Sequence, residues 1–458
     1  MHALVKKLKT LRIGDVAIRR NPVFYASVSD QLRALERADL AARREWTHAR
    51  MREALSFAAR STYGRRLGSP TEIEGWPLLE KSSVRADPGA FLSGPAIFAA
   101  RASTGGTTGV PLQLTRSLRS IVLEQACIDD MLRRLCVDAR EARIAVLRGD
   151  NVKDPSDLQP PFWIAVAGGQ RQLFSSNHLN ATTIDAYAGA LEDFRPDVLW
   201  AYPTALESLC LLLVRTGRKL SVPRVLTSSE MLAPHIWQLA REALGSELLD
   251  YYGQAERVAF AYALRPQEYR FLPGYAHVEL HPTATQGEDV LYEIVGTNLW
   301  NFAMPIPRYL TGDLVKLPAS WGTRELEEVT LGVRTFAGVL GRDSDILISP
   351  DGVQLTGIDH FQRDVDHVVR IQVIQEAPAE VRVLVLPDAG YSERDAAQLL
   401  HNVRTKVPDS MRVDICRVDA LERTSLGKTP FVIHRPAVRD LLNRARSRGG
   451  PASRGAST

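Results

Sequence analysis

Cysteine is scarce in this sequence, and its four copies (Cys127, Cys136, Cys210 and Cys416) form no Cys-x-x-Cys pair. Structural zinc sites and disulfide frameworks depend on clustered or paired cysteines, so the pattern argues against both. A reducing environment, and therefore the cytoplasm, is the expected location.

Long apolar runs and a strong net charge are also missing. No stretch approaches the roughly 18 apolar residues that a membrane-spanning helix needs. The basic segment Met1–Arg20 lacks the apolar region of a signal peptide, and we expect a short helix there. With 57 basic and 53 acidic residues, the net charge is +4, which gives no field that would attract nucleic acid.

A chain of 458 residues should contain more than one domain. Strands alternate with helices over 144–250, which predicts βαβ units and a parallel sheet whose ligands lie beyond the carboxyl ends of the strands. From Ile346 onwards a helix–strand–strand–helix–strand order predicts a small α+β domain. The expected fold is a large α/β N-terminal domain with parallel-rich sheets and a small mobile α+β C-terminal domain. The expected boundaries are 1–80 for a helical extension, 81–342 for the core domain, 343–445 for the mobile domain and 446–458 for a disordered tail.

The stretch Ser103–Pro111 contains three glycines and four hydroxyl side chains in nine residues. Glycine allows close backbone approach to a ligand, successive free N–H groups form an anion site, and hydroxyls add donors. The pattern favours a polyphosphate cradle over a plain surface loop. It is not a Walker-type loop, because no lysine follows the last glycine.

Two polar segments follow predicted strands of the parallel sheet. In Tyr252-Gly253-Gln254-Ala255-Glu256, the aromatic ring can stack on a purine, and the carboxylate can hold Mg²⁺. An ordinary polar turn explains this segment about equally well. Thr227–Glu230 is the second segment that follows a predicted strand, and it is expected at the same carboxyl edge of the sheet.

Three further motifs lie closer to the carboxyl terminus. Arg308-Tyr309-Leu310-Thr311-Gly312-Asp313 places an aspartate that suits the two hydroxyls of a ribose, or forms an Asx-turn between strands. Gly338–Asp345 contains Arg342. Glu422–Lys428 ends in Gly427-Lys428, whose ammonium can neutralise charge that develops at a phosphate; the alternative is an ordinary surface lysine.

These five motifs, in this order, resemble those of adenylate-forming enzymes, with consensus S-[ST]-G-[ST]-T-G-x-P, Y-G-x-T-E, R-Y-x-T-G-D, G-R-x-D-D and P-R-[TS]-x-x-G-K. The run Gly296–Asp313, the strand Ile371–Gln375 and the linker Trp76–Lys81 are similar to the phenylacetate-CoA ligase-like branch, including its capsule-biosynthesis-type members. Two positions depart from the pattern. No lysine stands beside Pro111, and Ala255 replaces the usual threonine.

The resemblance implies a small carboxylic acid substrate, ATP, Mg²⁺ and, as probable co-substrate, CoA. It implies that Glu256 holds Mg²⁺, that Lys428 stabilises the reacting α-phosphate, and that the small domain turns about 343–345. Catalytic roles are implied for Lys428, Glu256 and Thr108. Nucleotide contacts are implied for Ser103, Thr104, Gly105, Gly106, Thr107, Thr108, Gly109, Ser229, Glu230, Tyr252, Gly253, Gln254, Asp313, Arg342 and Lys428.

Two alternatives to transfer onto the CoA thiol remain open: transfer to an amine in natural-product or polysaccharide assembly, and a non-catalytic relative that binds nucleotide. The sequence does not identify the acid. The aromatic candidates for its pocket, each of which ordinary packing also explains, are Phe162, Trp163, Tyr202, Trp300 and Phe302. The histidines expected to be structural are His178, His277 and His360.

Overall fold

A computed structural model of the chain describes most residues between Asp15 and Val438. The described ranges are 15–95, 99–103, 112–148, 152–153, 157, 159–342, 347–350, 354–355, 358, 361, 365, 367–387, 389–423 and 429–438. The expected tail over 446–458 and the expected bend at 343–345 lie outside them.

The chain forms two compact units, Met1–Leu340 and Gly341–Thr458. The helices are α1 (Tyr25–Arg37), α2 (Leu40–Ala58), α3 (Thr62–Arg66), α4 (Lys81–Ala86), α5 (Leu118–Arg134), α6 (Ile184–Phe194), α7 (Pro203–Thr216), α8 (Pro234–Leu244), α9 (Thr323–Thr330) and α10 (Glu393–Arg404). The strands of the first unit begin with β1 (Ala100–Ser103), β2 (Gln113–Arg116), β3 (Ile144–Arg148), β4 (Trp163–Val166), β5 (Arg171–Ser175), β6 (Val198–Ala201), β7 (Arg224–Ser228), β8 (Glu247–Gly253), β9 (Phe260–Ala263) and β10 (Arg270–Phe271).

An eight-stranded sheet in the order β10-β9-β8-β7-β6-β3-β5-β4 is the centre of the first unit. Its five middle strands, β8 to β5, are parallel, whereas β4, β9 and β10 pair antiparallel at the edges. Both faces are covered, because Val146 and Leu147, neighbours on β3, belong to different hydrophobic clusters. This explains why the middle strands are nearly continuous apolar runs in the sequence.

Helices α1, α2 and α5 pack on one face of this sheet, through residues such as Leu32, Leu55 and Met131. Helices α6, α7 and α8 cover the other face, through residues such as Leu191 and Leu206. The N-terminal helices therefore bury their apolar sides in the same core as the sheet.

A four-stranded sheet in the order β11-β12-β13-β14 completes the first unit. Its strands are β11 (Ala276–Gln286), β12 (Asp289–Asn298), β13 (Tyr309–Pro318) and β14 (Val339–Arg342). The register between β12 and β13 shifts between Glu293 and Val295, which marks a bulge in β13 at residues 311–313. The sequence patterns did not predict the lengths of these antiparallel strands.

The second unit is built on the sheet β19-β18-β17-β20. Its strands are β15 (Leu347–Ile348), β16 (Gln354–Leu355), β17 (Val368–Ala377), β18 (Glu380–Pro387), β19 (Arg412–Arg417) and β20 (Val432–His434). Helix α10 packs on this sheet through Leu399 and Val403. The predicted combination of a large α/β region with a smaller α+β region is confirmed.

Within the described residues, no helix combines the length and the apolar character needed to cross a bilayer.

Candidate active site

The hairpin β1–β2 carries the glycine-rich stretch. Ser103 pairs with Gln113 at the loop end of the hairpin. Leu112 and Leu114, which follow the stretch, are buried at 0% and 4% exposure in a cluster with Val84 and Met304. The hairpin is therefore anchored in the core on the carboxyl side of the loop, whereas β1 on the amino side is mostly exposed. The predicted cradle residues Thr104, Gly105, Gly106, Thr107, Thr108 and Gly109 lie outside the described residues.

Glu256 is almost fully buried, with 6% of its surface exposed. The hydroxyl of Tyr309 donates to Glu256 Oε1 at 2.8 Å, and Lys81 Nζ lies 3.3 Å from the same oxygen. An ion pair and a charge-assisted hydrogen bond therefore hold this carboxylate in one orientation.

The linker before α4 brings Lys81 to Glu256. The amide of Leu79 donates to Arg308 O at 2.8 Å, and the amide of Leu310 donates to Leu79 O at 2.9 Å. These bonds fasten the linker to the start of β13, so Lys81 and Tyr309 approach the same carboxylate.

Tyr252 and Asp313 form the second polar pair of the site. The Tyr252 hydroxyl donates to Asp313 Oδ2 at 2.6 Å, and the Gln254 amide donates to the same hydroxyl. Burial, followed by the negative charge of Asp313, raises the pKa of Tyr252 well above its usual range. Tyr252 therefore remains a neutral donor that fixes the orientation of the aspartate.

Asp313 lies inside β13 rather than in an Asx-turn between strands. Gly312 takes φ = 73° at the bulge, where its amide donates to Glu293 Oε1 at 3.0 Å. The Asp313 amide donates to Thr311 Oγ1 at 3.0 Å. The Thr-Gly-Asp sequence thus produces a bend in a long strand, and this bend directs the carboxylate to Tyr252.

The loop after β7 contains the predicted residues Ser229 and Glu230. Ser229 takes φ = 74°, a left-handed conformation that few non-glycine residues adopt. Glu230 Oε2 accepts from the amide of Thr204 at 3.1 Å, while its Oε1 is buried and has no hydrogen-bond partner in the described part of the chain. One oxygen of this carboxylate therefore accepts a hydrogen bond from a backbone amide in the first turn of α7.

The lysine-bearing segment of the second unit is fastened at both ends by a buried glutamine. Gln372, with 0% exposure, donates to Glu422 O at 2.9 Å and to Pro430 O at 2.8 Å, and it accepts from the Glu422 amide at 2.8 Å. Lys428 itself lies outside the described residues. For Arg342 only the backbone, in β14, is described.

Sequence reasoning gave no role to Lys81, Tyr309, Gln372 or Arg116. The first two stand in motifs that were recognised, but only the fold brings them to Glu256. Arg116 Nη2 donates to Ala255 O at 2.7 Å, and burial, followed by repulsion from Arg257, lowers its pKa to about 10. The pairing of a buried glutamine with a distant loop gives no signal in a single sequence.

Most aromatic and histidine candidates serve packing. Phe162 and Trp300 are each 3% exposed, and the indole of Trp300 donates to Gly274 O at 2.7 Å. His178 is buried and bonds Ser175 Oγ at 2.7 Å, while burial lowers the pKa of His277. Trp163 and Phe302 pack against the two sheet cores, and His360 lies outside the described residues.

Among the described residues, no group of three or more His, Cys, Asp or Glu side chains is arranged to hold a metal ion. Mg²⁺ commonly binds one or two carboxylates together with substrate phosphates. The hydrogen bond from Tyr309 and the ion pair with Lys81 both use Oε1 of Glu256, so this carboxylate fits the role of a single protein ligand.

The comparison with protein families matches residues 347–435 to the CapK C-terminal domain. Among curated proteins, the chain is 24% identical to the phenylacetate-coenzyme A ligase of Aromatoleum evansii, with 93% of this chain and 99% of that protein covered. It is 25% identical to the phenylacetate-coenzyme A ligase of Pseudomonas putida, over 46% of this chain and 48% of that protein.

Among solved structures, the chain is similar to 2-hydroxyisobutyryl-CoA ligase in the postadenylation state, in complex with R3-HIB-AMP. The TM-score is 0.58 at 14% sequence identity, with 87% of this chain and 91% of that chain covered. At this identity the likeness establishes a shared fold.

Proposed function

We propose that the chain is an adenylate-forming enzyme of the phenylacetate-CoA ligase-like and capsule-biosynthesis branch, and that it activates a carboxylic acid with ATP. A carboxylate oxygen of the acid attacks the α-phosphorus, the bond to pyrophosphate breaks, and an acyl-adenylate forms. A thiol then attacks the acyl carbon, and AMP leaves. CoA is the proposed thiol.

The observation that supports this proposal best is that two carboxylates are held in fixed orientations: Glu256, which follows β8, and Asp313, which lies in β13. Asp313, whose orientation Tyr252 fixes, would accept hydrogen bonds from the ribose hydroxyls. Glu256, held by Tyr309 and Lys81, would supply a ligand to the cation. When bound, Mg²⁺ would neutralise phosphate charge during the displacement.

The remaining roles follow the sequence motifs. The loop Ser103–Gly109 would hold the β- and γ-phosphates, Ser229 and Glu230 would line the adenine, with Gly253 and Gln254 beside it, and Arg342 would contact the ribose. Lys428 would stabilise the charge that develops on the α-phosphate. The proposed domain boundaries are those expected from the sequence, 81–342 for the core and 343–445 for the domain that carries this lysine.

Lys81 would supply positive charge that the phosphate loop lacks, because no lysine stands beside Pro111. Its ammonium lies next to Glu256, and its side chain is 27% exposed. A cation at this position would compensate part of the polyphosphate charge that the loop leaves uncompensated.

Acid-dependent exchange of pyrophosphate into ATP tests the proposal. Lys428→Ala should abolish exchange while ATP binding is retained, whereas Lys406→Ala, at an exposed lysine of the same unit, should behave as wild type. Unchanged exchange in Lys428→Ala would remove this lysine from the mechanism.

A pyrophosphate-release screen over aryl, fatty and amino acids tests the activity more broadly. ATP binding without pyrophosphate release for every acid would contradict the proposed activity and favour a non-catalytic relative. Product mass with CoA and with candidate amines then identifies the acceptor.

A further inference from the structure

The eight-stranded sheet reverses its strand order between β3 and β6. From β3 the chain proceeds to β5 on one side and then crosses back to β6 on the other. In open parallel sheets, ligands bind beyond the carboxyl ends of the strands at such a reversal. Arg148 is the last residue of β3 and Tyr202 follows β6, so both lie at this crevice.

Aromatic and hydroxyl side chains surround Arg148. Its guanidinium carbon lies 4.8 Å from the ring centroid of Trp200 and 5.1 Å from that of Tyr202. Its Nη2 donates to Ser229 Oγ at 3.3 Å, and the indole N–H of Trp200 donates to Ser228 Oγ at 3.4 Å. Arg148 therefore lies against two aromatic rings and a hydroxyl at the carboxyl edge of the sheet.

Arg148 has no ion-pair partner among the carboxylates that the structure describes. By contrast, Arg20 and Arg308 are paired with Asp129 and Glu279. A guanidinium has five N–H donors in a planar fork that fits a carboxylate, and stacking on aromatic rings holds it ready for that partner. A half-buried arginine with spare donors at a ligand-binding edge is suited to an anionic ligand.

The crevice adjoins the proposed nucleotide site, because Arg148 contacts Ser229, which would line the adenine. Two other residues proposed for the nucleotide, Tyr252 and Asp313, are on β8 and β13. Strand β8 is three positions from β3 in the sheet, or about 14 Å at the usual strand spacing. The crevice therefore extends from the proposed nucleotide site at Ser229 towards β3, where the tail of an acid that reacts with this nucleotide would lie.

We propose that this crevice takes the tail of the substrate, and that the substrate carries a second carboxylate, which Arg148 binds. Trp200 and Tyr202 would then enclose an apolar or aromatic spacer between the two carboxylates. The inference rests on the proposed function, because it assigns the acid of that reaction to a chemical class.

Matched pairs of acids test the inference. Pyrophosphate release is measured with phenylacetate against 4-carboxyphenylacetate, benzoate against terephthalate, and butyrate against glutarate. The wild type should prefer the doubly charged member of at least one pair by about 10-fold or more in kcat/KM. Arg148→Met should lose that preference, because kcat/KM should fall about 10-fold more for the doubly charged acid than for the singly charged one, and Arg148→Lys should retain part of it.

Arg143→Met is the matched control, because Arg143 is an exposed arginine just before the amino end of the same strand. This variant should keep the preference. A preference for singly charged acids in every pair, or an equal loss for both acids in Arg148→Met, would overturn the assignment.

Calorimetric binding of the same acids separates this inference from the proposed function. Binding of a diacid that depends on Arg148, without pyrophosphate release from any acid, would support the subsite and contradict the ligase activity. Pyrophosphate release from singly charged acids alone, with no diacid bound, would support the ligase activity and contradict the subsite.

Discussion

Replacing Tyr252 by phenylalanine removes one hydroxyl and leaves the ring. The lost bond is the 2.6 Å donation to Asp313 Oδ2, and hydrogen bonds to charged groups contribute about 1.5–3 kcal/mol. Since about 1.4 kcal/mol corresponds to a tenfold change in affinity, the KM for ATP should rise about 10- to 100-fold if the bond serves to orient Asp313 for the ribose. The turnover number should change less, because the reacting phosphate is bound elsewhere.

Steady-state pyrophosphate release at varied ATP, with the acid saturating, measures this effect. Tyr292→Phe is the control, since Tyr292 is a buried tyrosine of β12 whose hydroxyl forms no hydrogen bond with a described residue. An ATP KM in Tyr252→Phe within about twofold of this control would refute the idea that Tyr252 positions Asp313. A loss of turnover with unchanged KM would also contradict it.

Three further predictions concern stability and are measured by urea unfolding. Lys81→Met leaves its buried carboxylate partner without a counter-charge and should lower the free energy of unfolding by about 1–3 kcal/mol; Lys219→Met, at an exposed lysine, should not. In Gly296→Ala the new Cβ would lie 2.1 Å from a backbone carbonyl oxygen, so a loss of about 1–3 kcal/mol or more is expected, whereas Gly189→Ala has open space and should be tolerated. Burial raises the pKa of Asp250 to about 6, against about 3.9 for an unfolded chain. The folded chain therefore binds more protons than the unfolded chain between these pH values, so the contribution of Asp250 to the free energy of unfolding falls as pH rises from about 4 to 6. Asp250→Asn should remove this pH dependence of the free energy of unfolding. The same dependence in wild type and variant would contradict the prediction.

The sequence by itself determined the order and type of the main elements. Apolar runs such as Ile144–Leu147 could be recognised as buried strands because both faces of the central sheet are covered. The motifs around Glu256 and Asp313 could be recognised because glycine and carboxylate positions are specified locally. These signals also indicated the ATP-dependent chemistry that is proposed here.

Only the tertiary structure decided which side chains meet. Lys81 and Tyr309 reach Glu256 because the linker pairs with the start of β13. Arg148 reaches Trp200 because the sheet reverses its strand order between β3 and β6. Periodicity and composition show whether a residue is buried or exposed on its own helix or strand. Contacts such as these depend instead on how segments distant in the sequence pair in the fold. For that reason Tyr202 could be named from the sequence as a candidate for the acid pocket, whereas its contact with Arg148 became visible only in the folded chain.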